Sequence, residues 1–314
     1  MSFEVIDLLI PAGFALFLWW FGTGVIVYLD GLPKQTFRRT MSITSVIALI
    51  ALVGLVYSKH DMTATGALIS FSCGLLLWGW QELSYFLGFI TGPRKDACQE
   101  ECKGWRHFIH ALQVNLYHEL AIIAGAIAII LLTRDGANQI GTWTYLLLWW
   151  MQLSAKLNVF LGVRNLSEEF LPKHMNYMKS FLKKRKMNCL FPFSVTFLTI
   201  LCVYLIQQAL SMQPGSFQVL HYSLLATLVA LALIEHWLLV LPISSTALWD
   251  VWLRLRDKQY INQSEYKDHF FNVGDSRLSS QVLIAATSDS TIKTQNSAQS
   301  ACTDVLRNRP RGEY

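Results

Sequence analysis

The sequence predicts an all-α, polytopic membrane protein: a bundle of about seven transmembrane helices with its amino terminus outside and its carboxyl terminus in the cytoplasm. With 53% hydrophobic and 15% charged residues, the chain has no room for a large soluble domain. Twenty-three of its 26 Lys and Arg residues fall in the stretches 30–40, 91–107 and 164–188 and in the tail from 253. Because basic segments stay on the cytoplasmic side, this alternation predicts the orientation.

The predicted spans follow from length, since about 20 mostly apolar residues cross ~30 Å of hydrocarbon. The first window carries Glu4 and Asp7 and no basic residue at its start, unlike a cleavable signal, so we expect a permanent helix there. The seven windows are 5–29, 41–57, 64–90, 108–133, 141–163, 189–210 and 217–241.

We predict two domains: 1–252 as the transmembrane domain and 253–314 as a polar cytoplasmic tail. From Gly274 onward the tail is rich in Ser, Thr, Gln and Asn, a composition typical of disordered segments. Within the first domain, residues 172–186 place Met175, Met178 and Phe181 at helical spacing among lysines. This pattern favours a basic amphipathic helix on the cytoplasmic leaflet, although a solvated charge run that only enforces topology explains it equally well.

Ionisable and amide residues within the spans are the candidate site. Such groups are costly in a bilayer, so by default they face the bundle interior and mark a functional or pairing site. Counted from the cytoplasmic ends of their helices, the charged ones lie roughly 9–15 Å deep, in one layer. The members are Glu82, His118, Glu119, Lys156, Asn158, Glu235 and His236.

Three interpretations of this buried polar layer stay open. The first is a structural network in which Lys156 pairs with a carboxylate. The second is a tetrapyrrole pocket with a neutral His as axial ligand, packed by Trp78, Trp80, Trp149 and Trp150. The third is a metal site. Against the metal site, His118-Glu119 and Glu235-His236 are adjacent pairs whose side chains diverge by ~100°, unlike the Glu-x-x-His of di-iron bundles. Lys156 is also long enough to extend to the cytoplasmic surface without a partner.

Several strings resemble the PuhE-type photosynthetic complex assembly proteins of purple phototrophic bacteria. They include FLWWFGTG (17–24), YHELAII (117–123), the long segment at 136–172 and EHWLLVLPISSTALW (235–249). The resemblance covers residues 1 to about 252, and nothing is transferred to the tail.

The resemblance implies a protein of the bacterial cytoplasmic membrane, including the intracytoplasmic photosynthetic membrane, that helps to assemble the reaction centre and core light-harvesting complex. It implies reaction-centre and core-antenna subunits or other assembly factors as partners, besides the lipid bilayer; no nucleic acid is expected. Bacteriochlorophyll or a precursor is the implied pigment, and iron is less favoured. No catalytic residues come with the resemblance, and the alternative is a membrane-embedded, metal- or tetrapyrrole-dependent enzyme that uses the buried His and Glu.

Overall fold

Seven long α-helices make up most of this computed structural model, which describes residues 3–98, 104–166, 168–243 and 249–259. The all-α prediction is confirmed for these residues, which contain no strand beyond an isolated bridge between Val163 and Lys184. The helices are α1 Phe3–Asp30, α2 Phe37–Ser58, α3 Ala64–Phe86, α4 Gly104–Thr133, α5 Ile140–Leu161, α6 Phe191–Ser211 and α7 Phe217–Val240.

Five of these helices, α1, α2, α4, α6 and α7, are long and apolar enough to cross a membrane, as expected of a multi-pass membrane protein. The seven-span prediction also needs α3 and α5, which are 23 and 22 residues long and are not among those five. Both pack in the interior, where α3, α5 and α7 contact one another. Interior helices face other helices rather than lipid, and can therefore carry more polar side chains.

The contact between α3 and α5 depends on two glycines. A Cβ atom at Gly74 would lie 2.5 Å from the Gly141 carbonyl oxygen, and one at Gly141 would lie 2.4 Å from the Ser70 carbonyl oxygen. The Ser70 hydroxyl accepts the Gly141 backbone N–H at 2.9 Å. Small residues allow close backbone approach between membrane helices, where packing is the main source of stability.

The connections after α1, α3 and α5 lie at one end of the bundle, which we call the basic end. After α3, the chain enters the bundle as non-helical backbone beside α4. There the Thr91 carbonyl accepts the His118 backbone N–H at 2.9 Å, and a Cβ at Gly92 would lie 2.0 Å from the Gln113 carbonyl oxygen. Non-helical backbone at this depth is tolerated because it is buried in protein.

The segment 172–186 differs from the predicted amphipathic α-helix. Lys173–Phe181 form a 3₁₀ helix, and residues 182–186 are non-helical. With three residues per turn, Met175, Met178 and Phe181 share one face. Met175 and Phe181 are buried, and the Tyr85 hydroxyl donates to the Met178 sulfur at 3.3 Å. The apolar face therefore covers the basic end of the bundle instead of lying on lipid.

A shorter helix at 250–259 packs along α1. Trp249 and Trp252 contact Trp19 and Trp20 with ring centroids 5.2 and 5.8 Å apart, and a Cβ at Gly24 would meet the Trp252 ring at 2.2 Å. The first residues of the predicted tail, 253–259, thus belong to the packed unit, which ends at Gln259. The rest of the tail, 260–314, lies outside the described residues.

Candidate functional site

The predicted layer separates into a charged cluster, a hydroxyl–imidazole chain and one carboxylate that faces a cavity. In the charged cluster, the Lys156 ammonium donates to Glu119 Oε1 at 2.9 Å, and the Trp149 indole N–H donates to Glu119 Oε2 at 3.3 Å. Lys156 therefore has a carboxylate partner and does not extend alone to the surface.

His118 completes the charged cluster together with Glu82. Its Nε2 lies 3.3 Å from Glu82 Oε1, but the alignment is not that of a hydrogen bond, and both ring nitrogens lack a hydrogen-bond partner in the described chain. His118 is fully buried at 0% exposure. The Tyr85 ring stacks on the His118 ring at 4.4 Å between centroids, and the Lys156 ammonium lies 5.4 Å from the centre of the same Tyr85 ring.

The geometry of α4 explains how two adjacent residues reach different partners. Neighbouring side chains on a helix diverge by about 100°, and α4 contacts both α3 and α5. His118 meets Glu82 on α3, whereas Glu119 meets Lys156 on α5. The two adjacent groups therefore bind α4 to two helices instead of converging on one ion.

The hydroxyl–imidazole chain joins α5, α6 and α7. His236 Nδ1 lies 2.8 Å from the Ala232 carbonyl oxygen, which can only accept, so Nδ1 carries the proton and Nε2 accepts from Ser154 at 2.9 Å. The hydroxyl oxygens of Ser154 and Ser194 lie 3.1 Å apart, and the Asn158 amide donates to Ser194 at 3.0 Å. Both His236 nitrogens are thus engaged, Nδ1 within α7 and Nε2 in the contact that joins α7 to α5.

The spacing along α5 assigns its polar residues to these two groups. Ser154 and Asn158 are four residues apart and share a face, with the Asn158 amide donating to the Ser154 carbonyl at 2.9 Å. Lys156 lies about 200° around the helix from each of them. The sequence predicts one layer, and α5 separates the members of that layer onto opposite faces.

The third part is a cavity of about 800 Å³, lined mainly by α1, α3, α5 and α7 with a few residues of α2 and α4, and covered at the basic end by the 3₁₀ segment. Glu235 is exposed to it, and in the described part of the chain no hydrogen bond or ion pair reaches this carboxylate. Glu82, Gln152 and Lys156 line the same cavity, and most of the remaining lining is apolar.

The positions of the His, Trp and acidic side chains bear on the metal and tetrapyrrole hypotheses in different ways. Among the described residues, no three His, Cys, Asp or Glu side chains are placed to hold a metal ion. Trp78 and Trp80 line the cavity, but His118 and His236 do not, so neither is placed as an axial ligand. Of the other two predicted packing residues, Trp149 binds Glu119 and Trp150 stacks on Phe197 at 4.9 Å with 56% of its surface exposed.

Comparison with known sequences gives the family of the chain. Residues 5–260 match the family described as "Protein of unknown function (DUF3623)". The chain belongs to the DUF3623 family. A relative from Rhodobacter capsulatus, named as an uncharacterized 30.4 kDa protein in the puhA 5′ region, is 34% identical over 238 residues, which cover 74% of this chain and 86% of the relative. No solved structure shows significant similarity to the chain.

The region matched to DUF3623 contains all seven candidate residues and several functional neighbours that sequence reasoning did not select. Tyr85 contacts both His118 and Lys156 of the charged cluster, and its hydroxyl oxygen lies 2.5 Å from the Asn115 amide oxygen. Ser154 and Ser194 carry the chain to His236. Hydroxyl side chains give little signal in a membrane span, because they also bond to their own helix backbone.

A buried pair at the basic end of α1 was also missed. Asp30 and Arg256 are 2% and 6% exposed, with 3.9 Å between Asp30 Oδ1 and Arg256 Nη1, and Arg256 also donates to the Glu169 and Phe170 carbonyls. Asp30 ends an apolar window and Arg256 lies beyond the last one, so each has the sequence position of an exposed residue. Only the packing of helix 250–259 on α1 brings them together.

Proposed function

We propose that this protein is an integral-membrane assembly factor for the photosynthetic reaction centre and core light-harvesting complex, acting in the bacterial cytoplasmic membrane. The observation that carries the proposal is the relationship to a Rhodobacter capsulatus protein whose name places it in the puhA 5′ region. The resemblance of the membrane-spanning strings to PuhE-type assembly proteins, with helices suited to a multi-pass membrane protein, supports the same conclusion.

The geometry of the buried groups supports a binding role more than turnover. Lys156 and Glu119 neutralise each other, and the two His236 nitrogens bond to Ser154 on α5 and to the Ala232 carbonyl of α7 itself. His236 is therefore not available to a substrate, and Lys156, although it lines the cavity, is held by its carboxylate partner. An assembly factor needs stable helix surfaces that bind reaction-centre and core-antenna subunits or other assembly factors. It does not need a catalytic group.

One observation favours the alternative, a membrane-embedded enzyme. Glu235 and Glu82 line the cavity; no hydrogen bond or ion pair reaches the Glu235 carboxylate, and Glu82 Oε1 receives no hydrogen bond in the described chain. A carboxylate in such a place can move a proton to or from a lipid-soluble substrate. The alternative predicts that Glu235→Gln abolishes the function of the protein, whereas an assembly role that depends on outer helix surfaces tolerates this change.

The test is deletion of the gene from a purple phototrophic bacterium that carries it. We expect membranes of the deletion strain to lose reaction-centre and core-antenna absorbance, and the wild-type gene supplied in trans to restore it. Genes for three variants are supplied in the same way, and immunoblots measure how much of each variant accumulates in the membrane. The variants are His118→Ala, Glu119→Gln and His236→Ala. Unchanged complex levels in the deletion strain would refute the assembly role.

A further inference from the structure

We propose that the cavity between α1, α3, α5 and α7 binds one lipid-soluble molecule with a conjugated ring system, whose polar end donates hydrogen bonds to Glu82 and Glu235. The proposal rests on the cavity alone. It holds whether or not the protein is an assembly factor.

The side chains that line the cavity indicate the kind of ring system that it binds. Ten of the 42 lining residues are Phe, Trp or Tyr, a share well above the 13% of the whole chain. Aromatic side chains bind planar ring systems by stacking and edge-to-face contacts, and these add to the burial of apolar area. Mostly apolar pockets of this volume with a few polar groups are typical ligand sites.

The polar groups of the wall select the polar end of the ligand. Glu82 is only 8% exposed, and its Oε1 lies 3.3 Å from His118 Nε2 but, like Gln152 Oε1, receives no hydrogen bond in the described chain. Glu235 adds a carboxylate that no described side chain meets. Acceptors without donors in an apolar setting are costly, so the complementary ligand supplies N–H or O–H donors.

The helix positions give the ligand an orientation. Glu82 and Glu235 lie four and five residues before the ends of α3 and α7, or about 6–8 Å from the basic end. Trp78 and Gly79 precede Glu82 by one turn or less on α3 and also line the cavity. The polar end of the ligand therefore faces the basic end of the bundle, and its rings lie one helical turn deeper beside Trp78.

Two glycines allow the cavity to be filled without disturbing the packing. Gly22 on α1 and Gly79 on α3 both line it, and a Cβ added at either meets nothing within 4 Å. Gly13 on α1 has equally open surroundings but does not line the cavity. Gly22→Phe and Gly79→Phe thus occupy the proposed site, and Gly13→Phe is a matched control on one of the same helices.

The test is purification of the full-length protein in mild detergent from membranes of a purple phototrophic host. Ultraviolet to near-infrared absorption and mass spectrometry of the solvent extract measure what is bound. We expect about one ring-containing molecule per chain in the wild type and in Gly13→Phe. In Gly79→Phe, Gly22→Phe and Glu235→Leu, which removes both acceptor oxygens, we expect a fall to about a tenth or less.

The spectrum also distinguishes the two sources of this chemistry. A metal-free tetrapyrrole, whose ring N–H groups can donate, absorbs in the visible and near infrared, whereas a quinol, whose hydroxyls donate, absorbs only in the ultraviolet; either result supports the proposal. A metal-bound tetrapyrrole has no N–H group to donate and overturns it. Wild-type protein that carries nothing, or only detergent and phospholipid, overturns it. Equal occupancy in Gly79→Phe and wild type overturns it as well, provided that the melting temperatures show both proteins to be folded.

Failure of this proposal and failure of the assembly role give different results. A deletion strain with normal complexes, together with a purified protein that retains a ring-containing molecule, refutes the assembly role alone. Lost complexes together with an unoccupied purified protein refute the binding site alone.

Discussion

At the scale of single residues, the charged cluster shows how a bundle accommodates ionisable side chains. Glu119 and Lys156 are 17% and 26% exposed, so their attraction is only partly screened, and each would be costly to bury alone. His118 and Glu82 lie in a drier place, with side chains 0% and 11% exposed. The individual ionisable residues could be selected from the sequence because charges are rare in apolar spans. Their pairing could not, because it depends on the rotation of each helix.

The ion pair between Lys156 and Glu119 predicts that a single variant loses more stability than the double variant. Lys156→Met leaves the Glu119 carboxylate without its cation, and we expect a loss of about 2 kcal/mol in stability. Lys156→Met with Glu119→Gln removes both charges, and we expect it to recover most of that loss. Melting temperatures in detergent measure both. A double variant no more stable than Lys156→Met would show that the pair is not the reason for the loss.

At the scale of elements, the 3₁₀ segment shows that apolar spacing alone does not determine the type of helix. The apolar spacing of Met175, Met178 and Phe181 was recognised correctly, but three-residue steps suit a 3₁₀ helix at least as well as the face of an α-helix. Tyr85 on α3 and Phe160 on α5 decide the outcome, because they offer the segment partners: Tyr85 donates to Met178, and the His107 ring lies between Phe160 and Phe181.

His174 makes the stability of this segment depend on pH. Burial, and then the positive charge of Lys34, lower the pKa of His174; Lys95 adds to this, and a hydrogen bond with the Phe86 backbone opposes it. The folded state then takes up a proton less readily than the unfolded state. Stability is therefore complete above the unfolded pKa near 6.5 and falls as the pH drops from there toward the lower folded pKa.

The check compares the wild type with His174→Gln, which cannot take up a proton. We expect the melting temperature of the wild type to fall more between about pH 7.5 and pH 5.5 than that of the variant. Parallel curves for the two proteins would remove His174 as the source of the pH dependence.

The helix at 250–259 predicts where the chain can be shortened. Truncation after Gln259 keeps every described contact with α1, and we expect normal accumulation in the membrane. Truncation after Pro242 removes Trp249, Trp252 and Arg256 and leaves Asp30 buried without its cation, so we expect poor accumulation and a lower melting temperature.

A steric variant tests the same contact within the full-length chain. Gly24→Leu places its side chain where the Trp252 ring lies, and we expect it to reproduce the effect of the shorter truncation. Gly13→Leu, in open surroundings on the same helix, should have none. Normal stability in Gly24→Leu would show that the helix can pack elsewhere at no cost.

At the scale of the whole molecule, topology follows from the distribution of basic residues. The connections after α1, α3 and α5 carry most of the basic residues, and those after α2, α4 and α6 carry few. We expect seven crossings to place these two sets on opposite sides of the membrane, with the basic end in the cytoplasm.

Reporter fusions test this arrangement. We expect fusions at Gly136 and Pro214 to report the periplasm, and fusions at Lys34, Lys184 and Asn262 to report the cytoplasm. A periplasmic signal at Lys184 would contradict the seven-span topology, because the connection around it holds the largest basic cluster between two spans.

The sequence by itself determined the helical class, the positions of the seven long helices and which of those helices carry ionisable side chains. These properties follow from local composition, because a bilayer requires long apolar helices and makes each buried charge costly. The tertiary structure decided which charges pair, which His nitrogens are engaged, and that Glu235 faces a cavity lined by residues of six helices. Those outcomes depend on helix rotation and on contacts between residues far apart in the chain, such as Asp30 and Arg256, and no local pattern encodes them.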